Sequence, residues 1–238
     1  MRIVRQDDRL VQLTWFGLVN AWLVREEDDF TLVDTGLPGG AADIVRAAER
    51  LGAPIARIAL THGHIDAVGG LEGLRALLPE ALLSIARREA RLLQGDRRGE
   101  PGEPSFSPGP YFPRLPVVAD RLLDVGDRVG SLLMIRSPGH TPGHVSWLDL
   151  RDRTLLAGDA LEGIGRLGTS GFVRPWFPFA SLTTWDRATA WNSARLLATL
   201  RPSRLAPGHG DLILAPMSAL EEALAPNGTD MAPESGRG

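Results

Sequence analysis

A mixed α/β (α+β) fold is what this sequence predicts, on three observations. Short apolar runs of strand length alternate along the chain with stretches in which apolar residues recur at helical spacing. Several of those runs end in polar residues set beside glycine, the pattern of strands that deliver side chains to one edge of a sheet. With 238 residues, 43% of them hydrophobic, the chain can bury one large core, and one domain over residues 1–225 is expected.

The elements follow in order. Strands are expected at 11–13, 20–24 and 30–33, then a helix across 41–51 and a strand at 55–60. Helical spacing returns at 71–78 and 87–93. Strands are expected at 132–135, 145–148, 154–157 and 204–206, with a long helix at 182–200 carrying Trp185 and Trp191. Two stretches resist either assignment. Residues 95–116 hold six prolines and the single Tyr, Tyr111, which excludes a central strand or an unbroken helix and predicts an ordered loop or lid. Residues 162–180 combine Gly163, Gly165, Gly168 and Gly171 with Phe172, Trp176, Phe177 and Phe179, an aromatic set that suggests a pocket wall. A disordered tail is expected at 226–238.

Charge narrows the function. The 26 basic and 29 acidic residues are interspersed and sum to −3, with no basic block to track a phosphate backbone, so no nucleic acid partner is expected. Every basic residue is Arg, a compositional bias to which no function is attached. The opening MRIVRQDDRL is charged where a secretory signal is apolar, and no run reaches the ~18 apolar residues of a membrane span. A cytoplasmic protein with no membrane partner is expected. The absence of Cys rules out thiolate ligands, so a transition-metal site must use imidazole and carboxylate.

All five histidines fall in three short glycine-bearing motifs: THGHIDAVGG at 61–70, SPGHTPGH at 137–144 and APGHG at 206–210. Each follows a strand-like run, as do VDTG at 33–36 and AGDA at 157–160. His62 and His64, two apart on a loop, can face one ion together. His140 supplies a third nitrogen and leaves a fourth position for water, the pattern of a catalytic rather than a structural metal. Asp66, Asp159 and His209 offer a second cluster, and one of the carboxylates can bridge the two. His144 and Asp34 read as supporting groups, not ligands.

The order VDTG, THGHIDA, PGHTPGH, AGDA, PGHG resembles the metallo-β-lactamase superfamily over residues 33–210 and looks most like its single-domain lactonase- and esterase-like hydrolases. The resemblance implies a four-layer αββα sandwich with a metal site at one edge. It implies His62, His64 and His140 on a first metal, Asp66 and His209 on a second, and Asp159 as bridge. Zinc is the implied ion, one or two per chain, with iron or manganese as alternatives. The expected activity is attack by a metal-bound hydroxide on a small-molecule ester, lactone or related carbonyl substrate, with Asp66 as the catalytic carboxylate that orients the hydroxide or carries a proton to the leaving group, freed for this if the second site is empty.

One position departs from the family pattern, because Ala67 stands where a second-metal histidine belongs. Two metals with water filling the gap, one metal, and a deliberate substitution all fit the sequence. Two other readings follow from the gap. One is a mono-iron persulfide dioxygenase-like oxidoreductase using His62, His140 and Asp159. The other is a non-catalytic protein that kept the fold. Glyoxalase II-like relatives are set apart by a C-terminal helical domain for which few residues remain after His209. Tyr111 is a candidate hydrogen-bond donor to the reacting group, and the oligomeric state is open.

Overall fold

The structure is a computed structural model and describes residues 1–106, 109, 111–115, 118–172 and 182–225. Strands β1 (Arg2–Arg5), β2 (Leu10–Trp15), β3 (Val19–Arg25), β4 (Phe30–Val33), β5 (Ile55–Ala59), β6 (Leu82–Ala86) and β7 (Arg121–Leu123) form one sheet in sequence order. The first four pair antiparallel through short turns. From β4 onward the pairing is parallel, so the chain must cross over between strands. Helices α1 (Ala41–Arg50), α2 (Ile65–Val68), α3 (Leu71–Leu77) and α4 (Arg87–Leu93) lie in those crossovers.

The second sheet joins β8 (Arg128–Val129), β9 (Leu132–Arg136), β10 (Val145–Asp149), β11 (Thr154–Gly158), β14 (Arg204–Pro207) and β15 (Ile213–Leu214) in the order β15-β14-β11-β10-β9-β8. Only β11 and β14 run parallel in it, and the connection between them holds a two-stranded ribbon, β12 (Leu161–Glu162) with β13 (Gly168–Thr169), and α5 (Arg187–Thr199). A last helix, α6 (Met217–Leu224), follows β15.

Strand alternation builds the layers. On β2, Val11, Leu13 and Trp15 enter a core shared with Ile44 of α1, Leu71 and Leu74 of α3 and Leu92 of α4, while Leu10 faces the opposite way. On β3, Ala21 and Leu23 join the same outer core, and Trp22 and Val24 join a core between the sheets with Leu132, Met134, Val145 and Trp147. The second sheet repeats this: Leu156 and Ala206 face inward, Leu155, Ala157 and Leu205 face α5 and α6. Three apolar layers between four structural ones make the αββα sandwich that the motifs implied.

Most expected elements are present, with one boundary corrected. The helix expected at 182–200 starts only at Arg187, because Asp186 is extended and its carboxylate accepts the Thr189 N–H at 2.7 Å, capping a new helix there. The stretch 95–116 is an anchored loop in its described residues. Buried Arg88 grips Glu103 at 2.8 Å, the Trp185 indole N–H donates to the Ser105 carbonyl at 3.2 Å, and Phe112 is buried in the outer core. Trp176, Phe177 and Phe179 of the expected aromatic wall, and the tail at 226–238, lie outside the described residues. Among those described, no helix is long and apolar enough to cross a membrane.

Candidate metal centre

The histidine motifs leave the two sheets at a common edge. His62 and His64 follow β5 of the first sheet, and His64 sits immediately before α2. His140 lies in the turn between β9 and β10 of the second. Their ring nitrogens form one group within 4.8 Å of one another, and His64 Nδ1 stands 2.8 Å from His140 Nε2. Burial first, and then the other imidazoles, push the pKa of His62 and His140 well below the usual value, and burial lowers that of His64 despite Asp66 and Asp159. Neutral imidazole is the form that binds a cation.

The tautomer of His62 is fixed from behind. Asp34, held at a left-handed φ of 60°, accepts the Thr61 N–H at 2.8 Å and its hydroxyl at 2.7 Å. When Asp34 is ionised it takes the hydroxyl proton, and the Thr61 oxygen then accepts the Nδ1 proton of His62 at 2.9 Å. His62 Nε2 is then a bare lone pair facing the cluster, and it is buried with no hydrogen-bond partner. Such an atom carries a desolvation cost that a bound cation removes, so the residues present fit a metal.

Asp66, Asp159 and His209 form the second group, also within 4.8 Å. His209 Nδ1 donates to the Leu18 carbonyl at 2.9 Å, which turns Nε2 toward Asp159 Oδ2 at 3.1 Å and Asp66 Oδ2 at 3.2 Å. Burial works to lower the pKa of His209, but the Asp159 charge and the bonds to both carboxylates outweigh it and raise the pKa well above normal. For Asp66, burial raises the carboxyl and the hydrogen bond and charge of His209 prevail, holding it below the usual range. A proton on His209 thus holds together two carboxylates that a divalent ion can hold in its place. Asp66 Oδ1 is a further buried oxygen without a partner.

The groups adjoin through Asp159, whose Oδ2 lies 3.4 Å from His140 Nε2 and 3.8 Å from His62 Nε2. Residues on β2 and β3 hold the APGHG segment in place. Gln12 and Asn20 donate to the Gly210 carbonyl, and Asn20 and the Trp22 indole donate to that of Pro207. All six residues singled out as ligands are therefore brought together.

His144 stands apart from both groups. Its Nε2 accepts the Asp159 backbone N–H at 3.1 Å, its Nδ1 donates to Ser137 Oγ at 2.9 Å, and a Ser137–Ser146–Ala157 chain continues the pattern. Burial lowers its pKa to about 3, consistent with a permanently neutral support. Ala67 is buried in the outer core. Tyr111 is half-exposed, and its carbonyl accepts the Ile65 N–H at 2.8 Å, between His64 and Asp66.

Leu18 and Glu89 are among the participants that escaped the sequence. Leu18 acts through its backbone carbonyl, which no side-chain pattern reveals. Glu89, within RREARLL, belongs to no motif that marks it, yet it is 1% exposed and bonded to both histidine loops.

A sheet sandwich with a histidine and carboxylate cluster at one edge defines a metal-centred protein with the architecture of the metallo-β-lactamases. The chain belongs to the metallo-beta-lactamase superfamily, whose family model matches residues 14–209. The uncharacterized protein YobT of Bacillus subtilis (strain 168) is 42% identical over 230 residues, 94% of this chain and 97% of that one. The probable metallo-hydrolase YflN of the same organism is 29% identical over 206 residues, 79% of this chain and 78% of its own. A hydroxyacylglutathione hydrolase of Methylobacillus flagellatus is 32% identical over 154 residues, 63% of this chain, which spans about half (52%) of that relative. Among solved structures, TTHA1623 in a di-iron-bound form superposes with a TM-score of 0.65 at 26% identity, covering 87% of this chain and 96% of its own. Family, relatives and site together make the chain a metal-dependent hydrolase in class.

Proposed function

We propose that this chain hydrolyses a small-molecule ester, lactone or related carbonyl substrate, with His62, His64 and His140 holding a first zinc ion and Asp66, Asp159 and His209 a second. The observation that carries this reading is the orphaned His62 Nε2, buried 3.8 Å from Asp159, a carboxylate of the second group. A bound ion would acidify a water toward a pKa of ~7 and polarise the carbonyl under attack.

The protein residues do the rest. Asp66 is a quarter exposed, while its Oδ1 is buried 3.9 Å from His62 Nε2 at the cluster. Its unpartnered Oδ1 can orient the attacking water, take its proton and pass that proton to the departing alkoxide. Asp159 fixes the spacing of the groups, and His144 fixes Asp159 through its backbone. The β2–β3 hairpin tip, whose Leu18 carbonyl orients His209, carries an exposed Phe16 and a half-exposed Leu18. These support an apolar portion in the substrate.

The test combines elemental analysis of the purified chain with a panel of esters, lactones and thioesters. Turnover that chelation removes and added zinc restores is expected for one of the oxygen esters. Asp66→Ala is expected to lose most of that turnover while His62, His64 and His140 still bind their ion; full activity would remove Asp66 from the reaction. Oxygen uptake with a persulfide substrate, dependent on iron, would replace hydrolysis with the mono-iron reading on His62, His140 and Asp159.

A further inference from the structure

Glu89 lies in the first turn of α4 and is buried, yet it belongs to neither ligand group. Its Oε1 accepts the Gly63 N–H at 2.7 Å. Its Oε2 accepts the Thr141 hydroxyl at 3.0 Å and the Gly143 N–H at 3.0 Å. Gly63 separates His62 from His64 on the loop leaving the first sheet. Thr141 follows His140 in the turn of the second. One carboxylate thus spans the sheets where the histidines must meet, with one oxygen for each loop.

We infer that Glu89 is a positioning residue that sets the distance between the two histidine loops and thereby the geometry of the first metal group. The inference rests on the metal-binding reading of His62, His64 and His140.

The chemistry of the side chain makes the role specific. All three partners donate here, so the group between them must accept at both ends, which the ionised carboxylate does and a carboxamide does not. Glutamine would turn its NH2 toward Gly63 N–H or toward Gly143 N–H, leaving a buried donor unmet and pushing one loop away. Aspartate is one methylene too short to reach both loops from the same backbone position. The approach is also closed to adjustment, since a Cβ on Gly143 would stand 2.4 Å from the Glu89 nitrogen and 2.6 Å from Oε2. Adjacent Arg88 turns Nε and Nη2 to Glu103, and the three hydrogen bonds that Glu89 accepts come from the loops themselves.

The experiment strips the full-length chain with a chelator and titrates it with cobalt(II), reading affinity and the visible d–d spectrum, with thermal melting of the metal-free protein in parallel. Glu89→Gln is expected to bind the first cobalt ~10- to 100-fold more weakly, the range for loss of a group supporting a ligand, with shifted d–d bands. Thr141→Val, which keeps the carboxylate and removes one donor, is expected to move affinity and spectrum the same way by less. A lower melting temperature with wild-type affinity and spectrum in Glu89→Gln would overturn the inference. Should that variant fail to fold, wild-type cobalt affinity and spectrum in Thr141→Val would overturn it instead. An unmodified chain that takes up no cobalt would defeat the metal-binding reading and this inference with it, whereas unaffected variants of a metal-binding chain would defeat the inference alone.

Discussion

Ala67 shows how a single residue alters the balance of the two groups. It stands next to Asp66 in the turn that carries the ligands, and its carbonyl accepts from the Thr35 N–H and hydroxyl at 2.6 and 2.8 Å, so the backbone there is fixed. The methyl offers no lone pair. Asp66, Asp159 and His209 remain, and three protein ligands with solvent are enough for a catalytic zinc. Two ions per chain are therefore expected at saturating metal, the second held more weakly. Ala67→His should tighten that second ion alone, checked by elemental analysis and stepwise titration; equal affinities in both proteins would show that position 67 does not reach the cluster. Binding of the second ion must also displace the proton that the two carboxylates hold on His209. Its affinity should consequently fall as pH is lowered.

Elements decide where those residues can stand. The strands legible in the sequence, such as β2 and β3, are those whose alternating faces both meet apolar layers. The short edge strands were not: β1 is RIVR, largely exposed, and becomes a strand because Arg2 to Arg5 pair with Thr14 to Val11 of β2. Strand β6, LLSIA, is an apolar run too short for its period to distinguish strand from helix, and it is the parallel pairing with β5 that settles it. The turn after β14 shows the same dependence at the site. A Cβ on Gly208 would stand 2.1 Å from Asp159 Oδ1, so the strand end can approach the carboxylate only because glycine has no side chain. Gly208→Ala is expected to displace Asp159 and weaken metal binding at least ~10-fold, as loss of a supporting group does, while the chain stays folded. Unchanged metal affinity with a normal circular dichroism spectrum would refute that account.

At the scale of the whole molecule, burying so many ionisable groups at one sheet edge has a cost that pH exposes. Burial raises Asp34 from 3.8 to about 8, against the bonds from Thr61, and Glu89 from 4.5 to about 7, against its three donors. Each carboxyl binds its proton more tightly folded than unfolded. The stability this contributes is full below the unfolded values near 4 and is lost as pH rises through the folded ones. The metal-free protein should therefore melt at progressively lower temperature between about pH 4 and pH 8 on account of these two groups, and Asp34→Asn should flatten the trend. A slope unchanged by that substitution would show that Asp34 does not titrate in this window. The sequence by itself determined the α/β class, the main strands and helices, and the six ligand candidates, because periodicity and the histidine motifs are local and need no partner to be read. Only the tertiary structure decided that Glu89 clamps two loops, that the Leu18 carbonyl orients His209 and that His144 supports Asp159. Those roles are contacts between segments remote in the chain, Leu18 and His209 being 191 residues apart, and they come into being when two sheets pack and bring their loop-bearing ends to one edge.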